Sequence, residues 1–302
     1  MTDFYSFSFG AMGTECLLHL YTPTQAMADD VSGAAIAEVL RIEQRYSRFK
    51  PDSVLMAING VAQAGGQVTV DEETAGLLDY AFACYQKSAG LFDISAGVLY
   101  QAWNFEGDTL PSQDRIQALM PWVGLDKIEW RRPVLRFAMR GMCLDFGGIG
   151  KEYAADRVAD VCLSCGVHHG LVDLGGDIRI IGPHPDGQPW RVGLRDPAQP
   201  DVAMRVVDAS SGAIASSGDY ERCITVDGQR YGHILDPFSG WPARGVSSVS
   251  VWADRCMVAG SVATIAMLKG RNAAAWLQSL GLPHVWVDET GQQGGNLLAS
   301  AR

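Results

Sequence analysis

In the stretch "LDFGGIGKEYAADRVAD", Asp145, Gly147, Gly148, Gly150 and Lys151 stand together. Glycines let another group approach the backbone, and a lysine beside them is a phosphate-binding combination. A P-loop is excluded: its first glycine would fall at Asp145, and its magnesium-binding hydroxyl would fall at Glu152. G-x-G-x-x-G fails as well, for want of a third glycine at the required spacing. Two readings stay open on this stretch alone. One is an anion cradle, in which unpaired amides and the helix dipole attract phosphate and Lys151 adds a full charge. The other is a tight strand-to-helix turn with a solvated lysine.

His233, in "YGHILDPFSG", has a side chain that accepts a proton at neutral pH and could serve as a general base. It could equally brace the turn before Asp236-Pro237. "CLSCGVHH" holds Cys162, Cys165, His168 and His169, residue types that bind zinc. Four ligands so close in sequence would crowd a tetrahedral site, and redox C-x-x-C pairs favour a helix start, so buried thiols late on a helix are the simpler account. Trp103, Trp190, Trp241 and Trp252 could stack on a flat ring, but tryptophans mostly pack in cores, and none is assigned.

These residues need elements to position them. Alternation in "YSFSFGAMGTECLLHLY" predicts strand, a turn at Met12-Gly13, then strand. A helix is expected over 25–46, with "RYSRFKPDSVLMAIN" after it as a polar turn region. Asp71 caps a second helix that Gly90 stops. "GLFDISAGVLYQAW" is expected to be a loop leading to a short helix. "PVLRFAMRGMCLDFGG" reads as a hairpin about Arg140-Gly141 that delivers Asp145 to a helix starting near Lys151. Strands dominate 170–252, with turns at Asp186-Gly187 and Asp227-Gly228. Helices near 256–268 and 271–280 and the strand "HVWVD" close the chain. Hairpins with helices between blocks predict an α+β fold of mostly antiparallel sheets. Residues 1–302 are expected to be one domain, at most two closely packed lobes, with no linker.

A formal net charge of -10 argues against nucleic-acid and anionic-membrane partners. The first twenty residues contain no Lys or Arg and no apolar run long enough for a signal or a membrane span. Seven cysteines without a dense framework fit thiols in a reducing compartment. A cytoplasmic location is expected.

The opening stretch resembles the signature of the FAD:protein FMN transferase (ApbE) family, D-x-G-G-I-x-K-G-Y-x-x-D. Other matches come in the family's order: "AMGT", "YSRFKPDSVLMAIN", "GLFDISAGVL", "LVDLGGDIRIIG", "PWRVGLRDP", "AIASSGDYER", "YGHILDPFSGWP" and "VAGSVATIAML". They span residue 11 to about 270. The resemblance implies a two-lobed, T-fold-like architecture. It also implies an enzyme that binds FAD and, with magnesium, transfers FMN to a Thr or Ser hydroxyl of a partner protein, releasing AMP.

By position, the resemblance assigns flavin contacts to Met12, Phe49 and Leu235. FAD contacts fall on Ser95, Ala96, Gly97, Asp145 and Lys151. The acceptor-deprotonating base is His233, and the metal ligands are the Gly148 carbonyl and Thr264. The chain departs from the pattern at the metal. The family's Asp four residues before the threonine is Gly260 here, and a second position where some members carry Asp is Ala263. Glu152 replaces the glycine after the lysine; it could offer a carboxylate or simply face water from the first helical turn, and solvation is expected. Ser95 replaces a common Thr and keeps the hydroxyl. The lost Asp makes a flavin carrier or partner subunit without transfer the alternative reading, and hydrolysis of FAD by water a third. "DASSGAI" (208–214) approximates the family's acceptor consensus but ends in Ile214, which has no hydroxyl to modify.

Overall fold

Residues 3–22 form the hairpin that their alternation predicts. In the computed structural model, which describes residues 2–199 and 201–298, β1 (Asp3–Ala11) pairs antiparallel with β2 (Thr14–Thr22). Met12 and Gly13 turn the chain with φ of 53° and 74°, the two-residue geometry whose twist matches the flanking strands. Helix α1 (Gln25–Tyr46) is capped by the Thr24 hydroxyl and buries Val31, Ala35, Val39, Ile42 and Tyr46 on one face.

The polar turn region conceals a helix. In α2 (Val54–Ala64), Ser53 caps the Met56 amide, and Leu55, Ile58, Asn59 and Ala62 face inward. The cap and the apolar repeat begin only halfway through the stretch, so its polar first half masks them. After β3 (Gly66–Thr69), Asp71 caps α3 (Glu72–Lys87) as expected. A 3-10 helix over 94–101 and α4 (Gln113–Leu119) follow.

The next hairpin, β4 (Ile128–Arg131) with β5 (Val134–Phe137), turns at Arg132-Pro133 rather than at Arg140-Gly141. Both neighbours of β5 are already taken, by β3 and β4, so the segment after it has no strand to join. Asn59 of α2 holds that segment instead: it accepts from the Leu144 amide at 2.7 Å and donates to the Leu144 carbonyl at 2.9 Å. Met142, Leu144 and Phe146 are buried there, so their alternation reflects core packing and not sheet.

Helix α5 (Gly150–Ser164) leads to β6 (Gly170–Leu174), β7 (Asp177–Gly182), β8 (Trp190–Arg195) and β9 (Ala203–Ala209). Then come β10 (Ala213–Gly218), β11 (Cys223–Val226), β12 (Gln229–Gly232) and β13 (Val246–Ala253). Helices α6 (Cys256–Lys269) and α7 (Ala273–Leu280), then β14 (His284–Asp288) and β15 (Gln293–Gly294), complete the chain.

Eight strands form one sheet in the order β1-β2-β6-β7-β10-β13-β14-β15, antiparallel at every junction. Helices α1, α5 and α6 pack together on one face, and the main core lies between them and the sheet. The β8–β9 ribbon contributes Trp190, Val192, Leu194 and Val207 to a second core with Leu171, Ile180 and Ile214 of the large sheet. A third cluster joins Val98, Leu99 and Trp103 to Ile116, Ile224 and Leu235. The α+β, mostly antiparallel architecture is the one expected. No helix among the described residues is long and apolar enough to cross a membrane.

Candidate functional site

Helix α5 begins without a side-chain cap, since Ile149 occupies the N-cap position. The Gly150 amide donates back to the Phe146 carbonyl at 2.8 Å, which leaves the Lys151 and Glu152 amides and the helix dipole at this end. Asp145 stands at this turn. One carboxylate oxygen accepts from the Gly147 amide at 2.9 Å and the other from Arg48 at 2.9 Å. The Arg48 guanidinium lies over the Tyr100 ring at 3.7 Å and over the Phe49 ring at 4.7 Å. The Tyr100 hydroxyl in turn donates to the His233 carbonyl at 3.2 Å. Burial, then the Asp145 charge, push the Tyr100 phenol up to about 12, so it stays a donor at neutral pH.

One chain of contacts thus runs from Asp145 through Arg48 and Tyr100 to His233. Gly97 belongs to it: a Cβ there would lie 2.8 Å from the Asp145 Cβ, so the 3-10 helix can pack on Asp145 only without a side chain. His233 is half-buried, with a fully buried Nδ1 that has no partner. Burial, then the Arg222 guanidinium and more weakly Lys151 and Arg48, hold its pKa down at about 4. The ring is neutral at pH 7 and can accept a proton.

Other predicted residues stand differently. Met12 occupies the β1–β2 turn, its amide held by Glu43 at 2.9 Å, and Phe49 is 71% exposed. Ser95 is buried: its hydroxyl donates to Asp93 at 2.6 Å and accepts from the Gly124 amide at 2.7 Å. That hydroxyl ties loops together rather than facing a ligand. Ala96 and Leu235 belong to the third apolar cluster. Thr264 shares a hydrogen bond with Ser217 at 3.1 Å.

Lys151 is not merely solvated. Its ammonium pairs with Asp177, the first residue of β7, whose side chain is almost wholly buried. Burial works against the lysine's charge, but Asp177 together with Glu152 and Glu221 more than offsets it and holds the pKa above the usual lysine value. A cation in a first helical turn needs an anion nearby, and β7 supplies one.

Glu152 corrects the sequence reading outright. It is 5% exposed and does not face water. A Cβ at Gly260 would lie 2.5 Å from its Cγ and 2.6 Å from its Oε1, so the carboxylate occupies the space that a side chain at 260 would fill. Its Oε2 is buried without a hydrogen-bond partner. Burial, then the Asp177 charge, push the carboxyl above the usual carboxylate range. An orphaned buried carboxylate oxygen beside the α6 face that carries Thr264 is a hard donor suited to a divalent cation, so the residues present fit the magnesium that the resemblance implies.

The cysteine-histidine run is no metal site. Among the described residues no group of three or more His, Cys, Asp or Glu is arranged to hold a metal. Cys162 is buried, Cys165 is exposed, and His169 bonds the Pro183 carbonyl at 2.8 Å. Sequence reasoning missed Arg48, Tyr100 and Asp177. All three lay inside the quoted stretches "YSRFKPDSVLMAIN", "GLFDISAGVLYQAW" and "LVDLGGDIRIIG", and only Asp177, a charge after two glycines in an apolar run, stood out there.

The sequence model of the ApbE family matches residues 12–286. The FAD:protein FMN transferase of Treponema pallidum (strain Nichols) is 32% identical over 293 residues, 88% of this chain and 79% of that protein. That of Escherichia coli (strain K12) is 30% identical, over 77% of this chain and 69% of that protein. Among solved structures, the ApbE protein of Thermotoga maritima superposes with a TM-score of 0.89 at 31% identity, covering 97% of each chain. The flavin transferase ApbE of Vibrio cholerae does so at 0.85 and 26% identity, covering 98% of this chain and 97% of that one. On its sequence and on its fold, this chain belongs to the ApbE family.

Proposed function

We propose that this protein transfers the FMN half of FAD to a Thr or Ser hydroxyl of a partner protein and releases AMP. The carrying observation is the run of contacts that gathers Gly97, Asp145, Arg48, Tyr100 and His233, from distant segments, at the uncapped start of α5. Phosphoryl transfer asks an enzyme mainly to position groups and neutralise charge. The α5 amides and the Lys151 and Arg48 charges favour the diphosphate there. Asp145 and Tyr100 fix Arg48, and the turn at Met12 and the exposed Phe49 offer apolar surface to the flavin.

The acceptor oxygen attacks the phosphorus on the FMN side, the bond to the bridging oxygen breaks, and AMP departs with that oxygen. The acceptor's proton passes to the neutral His233 ring. A pKa near 4, set first by burial and then by the Arg222 guanidinium with Lys151 and Arg48, makes this imidazole a weak base. A diphosphate dianion beside Arg48 and Lys151 offsets that field and raises the basicity. Thr264 and the Gly148 carbonyl would hold the divalent cation that the resemblance implies, which would supply charge neutralisation at the phosphate oxygens. A flavin carrier without transfer is the reading that Gly260 by itself favours, and the buried carboxylate of Glu152 weighs against it. We also place the protein in the cytoplasm, on its composition and its free cysteines.

The test is incubation with FAD, magnesium and a threonine-bearing acceptor, with and without chelator. Fluorescent acceptor on a denaturing gel with matching AMP is the expected result. AMP without label would mark a hydrolase, and neither product across several acceptors would remove the transferase reading.

A further inference from the structure

Helices α5 and α6 meet in an antiparallel register that can be followed turn by turn. Asp156 accepts from the Cys256 amide at 2.9 Å and from the Met257 amide at 3.1 Å. One turn earlier on α5 and one turn later on α6, Glu152 fills the space at Gly260. One turn further along α6 comes Thr264, and Gly148 lies in the turn just ahead of α5. Residues four apart share a helix face, so Glu152 and Asp156 form one line on α5, and Thr264, Gly260 and Cys256 the facing one on α6. The carboxylate of Glu152 therefore sits against α6 one turn from Thr264, and the Gly148 carbonyl belongs to the turn that leads into α5.

Gly260 needs a reason of its own. It lies inside a helix, where glycine is destabilising relative to alanine, and its backbone angle requires no glycine. The reason is the neighbour: Cγ, Cδ and Oε1 of Glu152 all lie under 3 Å from where a Cβ would stand. The two departures from the family pattern, glutamate at 152 and glycine at 260, are thus one steric exchange.

We propose that the cation-binding carboxylate has moved between helices: Glu152 of α5 replaces the aspartate missing at 260, and Gly260 is the vacancy that admits it. Glu152 then binds a divalent cation together with the Thr264 hydroxyl and the Gly148 carbonyl. One carboxylate, two neutral oxygens, and phosphate and water for the rest make a normal magnesium set. The buried Oε2 without a partner is the donor left for the ion. The transferase reading is needed only to say that the ion meets phosphate, and the test avoids turnover for that reason.

The measurement is binding of manganese(II) alone to the full chain, followed by the electron paramagnetic resonance of the free ion. Glu152→Gln keeps shape and removes charge, and is expected to weaken binding roughly tenfold or more while circular dichroism stays unchanged. Gly260→Asp alone is expected to melt lower and to bind manganese no better than the unaltered chain. The exchange Glu152→Gly with Gly260→Asp is expected to return the affinity to within a few-fold. Glu152→Gln with undiminished affinity would overturn the proposal, as would Gly260→Asp binding tenfold tighter at an unchanged Tm. Glu152-dependent manganese binding in a protein that never releases AMP from FAD would leave the site standing and remove the transferase reading.

Discussion

The Asp156 carboxylate and the Cys256 amide, 100 residues apart in sequence, meet at 2.9 Å, and that contact sets how α5 lies against α6. Helix α6 has no capping side chain of its own at Arg255, so Asp156 performs the capping from another helix. Arg179 lies 3.2 Å from the same carboxylate and balances its charge. Asp156→Ala is expected to lower stability by about 2–4 kcal/mol, since it removes a cap and strands a partly buried guanidinium. Urea melts check this. A change below about 0.5 kcal/mol would mean that the helix register is held by apolar packing alone.

His233→Ala is expected to lower kcat by about 10²–10⁴-fold, the range for a lost general base, with FAD affinity nearly unchanged. An equal loss in FAD binding would make His233 a binding residue instead.

The same histidine gives a pH dependence of stability. Its folded pKa of about 4 lies below the unfolded value near 6.5, so the unfolded chain binds the extra proton between them. Its contribution is present above about pH 6.5 and is lost as pH falls towards 4. His233→Gln should flatten that part of the Tm–pH curve. In the unaltered protein, the His233 ring signals in NMR should titrate at higher pH once FAD is bound.

Lys151→Met is expected to cost several kcal/mol, because Asp177 would be left buried and unpaired. Adding Asp177→Asn should recover much of that stability without recovering FAD binding. If the double variant bound FAD normally, Lys151 would be structural only.

Arg48→Lys keeps the charge but loses the planar group stacked on Tyr100 and Phe49. FAD affinity is expected to fall roughly five- to tenfold, about 1 kcal/mol for the lost stacking. Quenching of flavin fluorescence measures it.

Much of the fold was legible because its signals are local. Alternation marked β1 and β2, the helical spacing of Val31, Ala35, Val39, Ile42 and Tyr46 marked α1, the Asp71 cap marked α3, and the Asp227-Gly228 pair, both at positive φ, marked the β11–β12 turn. Where a pattern had two causes the reading failed. Met142, Leu144 and Phe146 alternate like a strand, yet Asn59 and the core hold them without one. Helix α2 was hidden by the polar half of its own stretch.

The amino-acid order by itself determined which chemical groups this protein owns: the glycine turn, Asp145, Lys151 and His233, and a glycine where the family keeps aspartate. Only the tertiary structure decided which of these groups meet. It gave Lys151 to Asp177, turned Ser95 inward, and set Glu152 into the space at Gly260. The physical reason is that local periodicity fixes which face a residue occupies on its own helix or strand. The partner of a buried charge is fixed by how two helices, a hundred residues apart, slide into register.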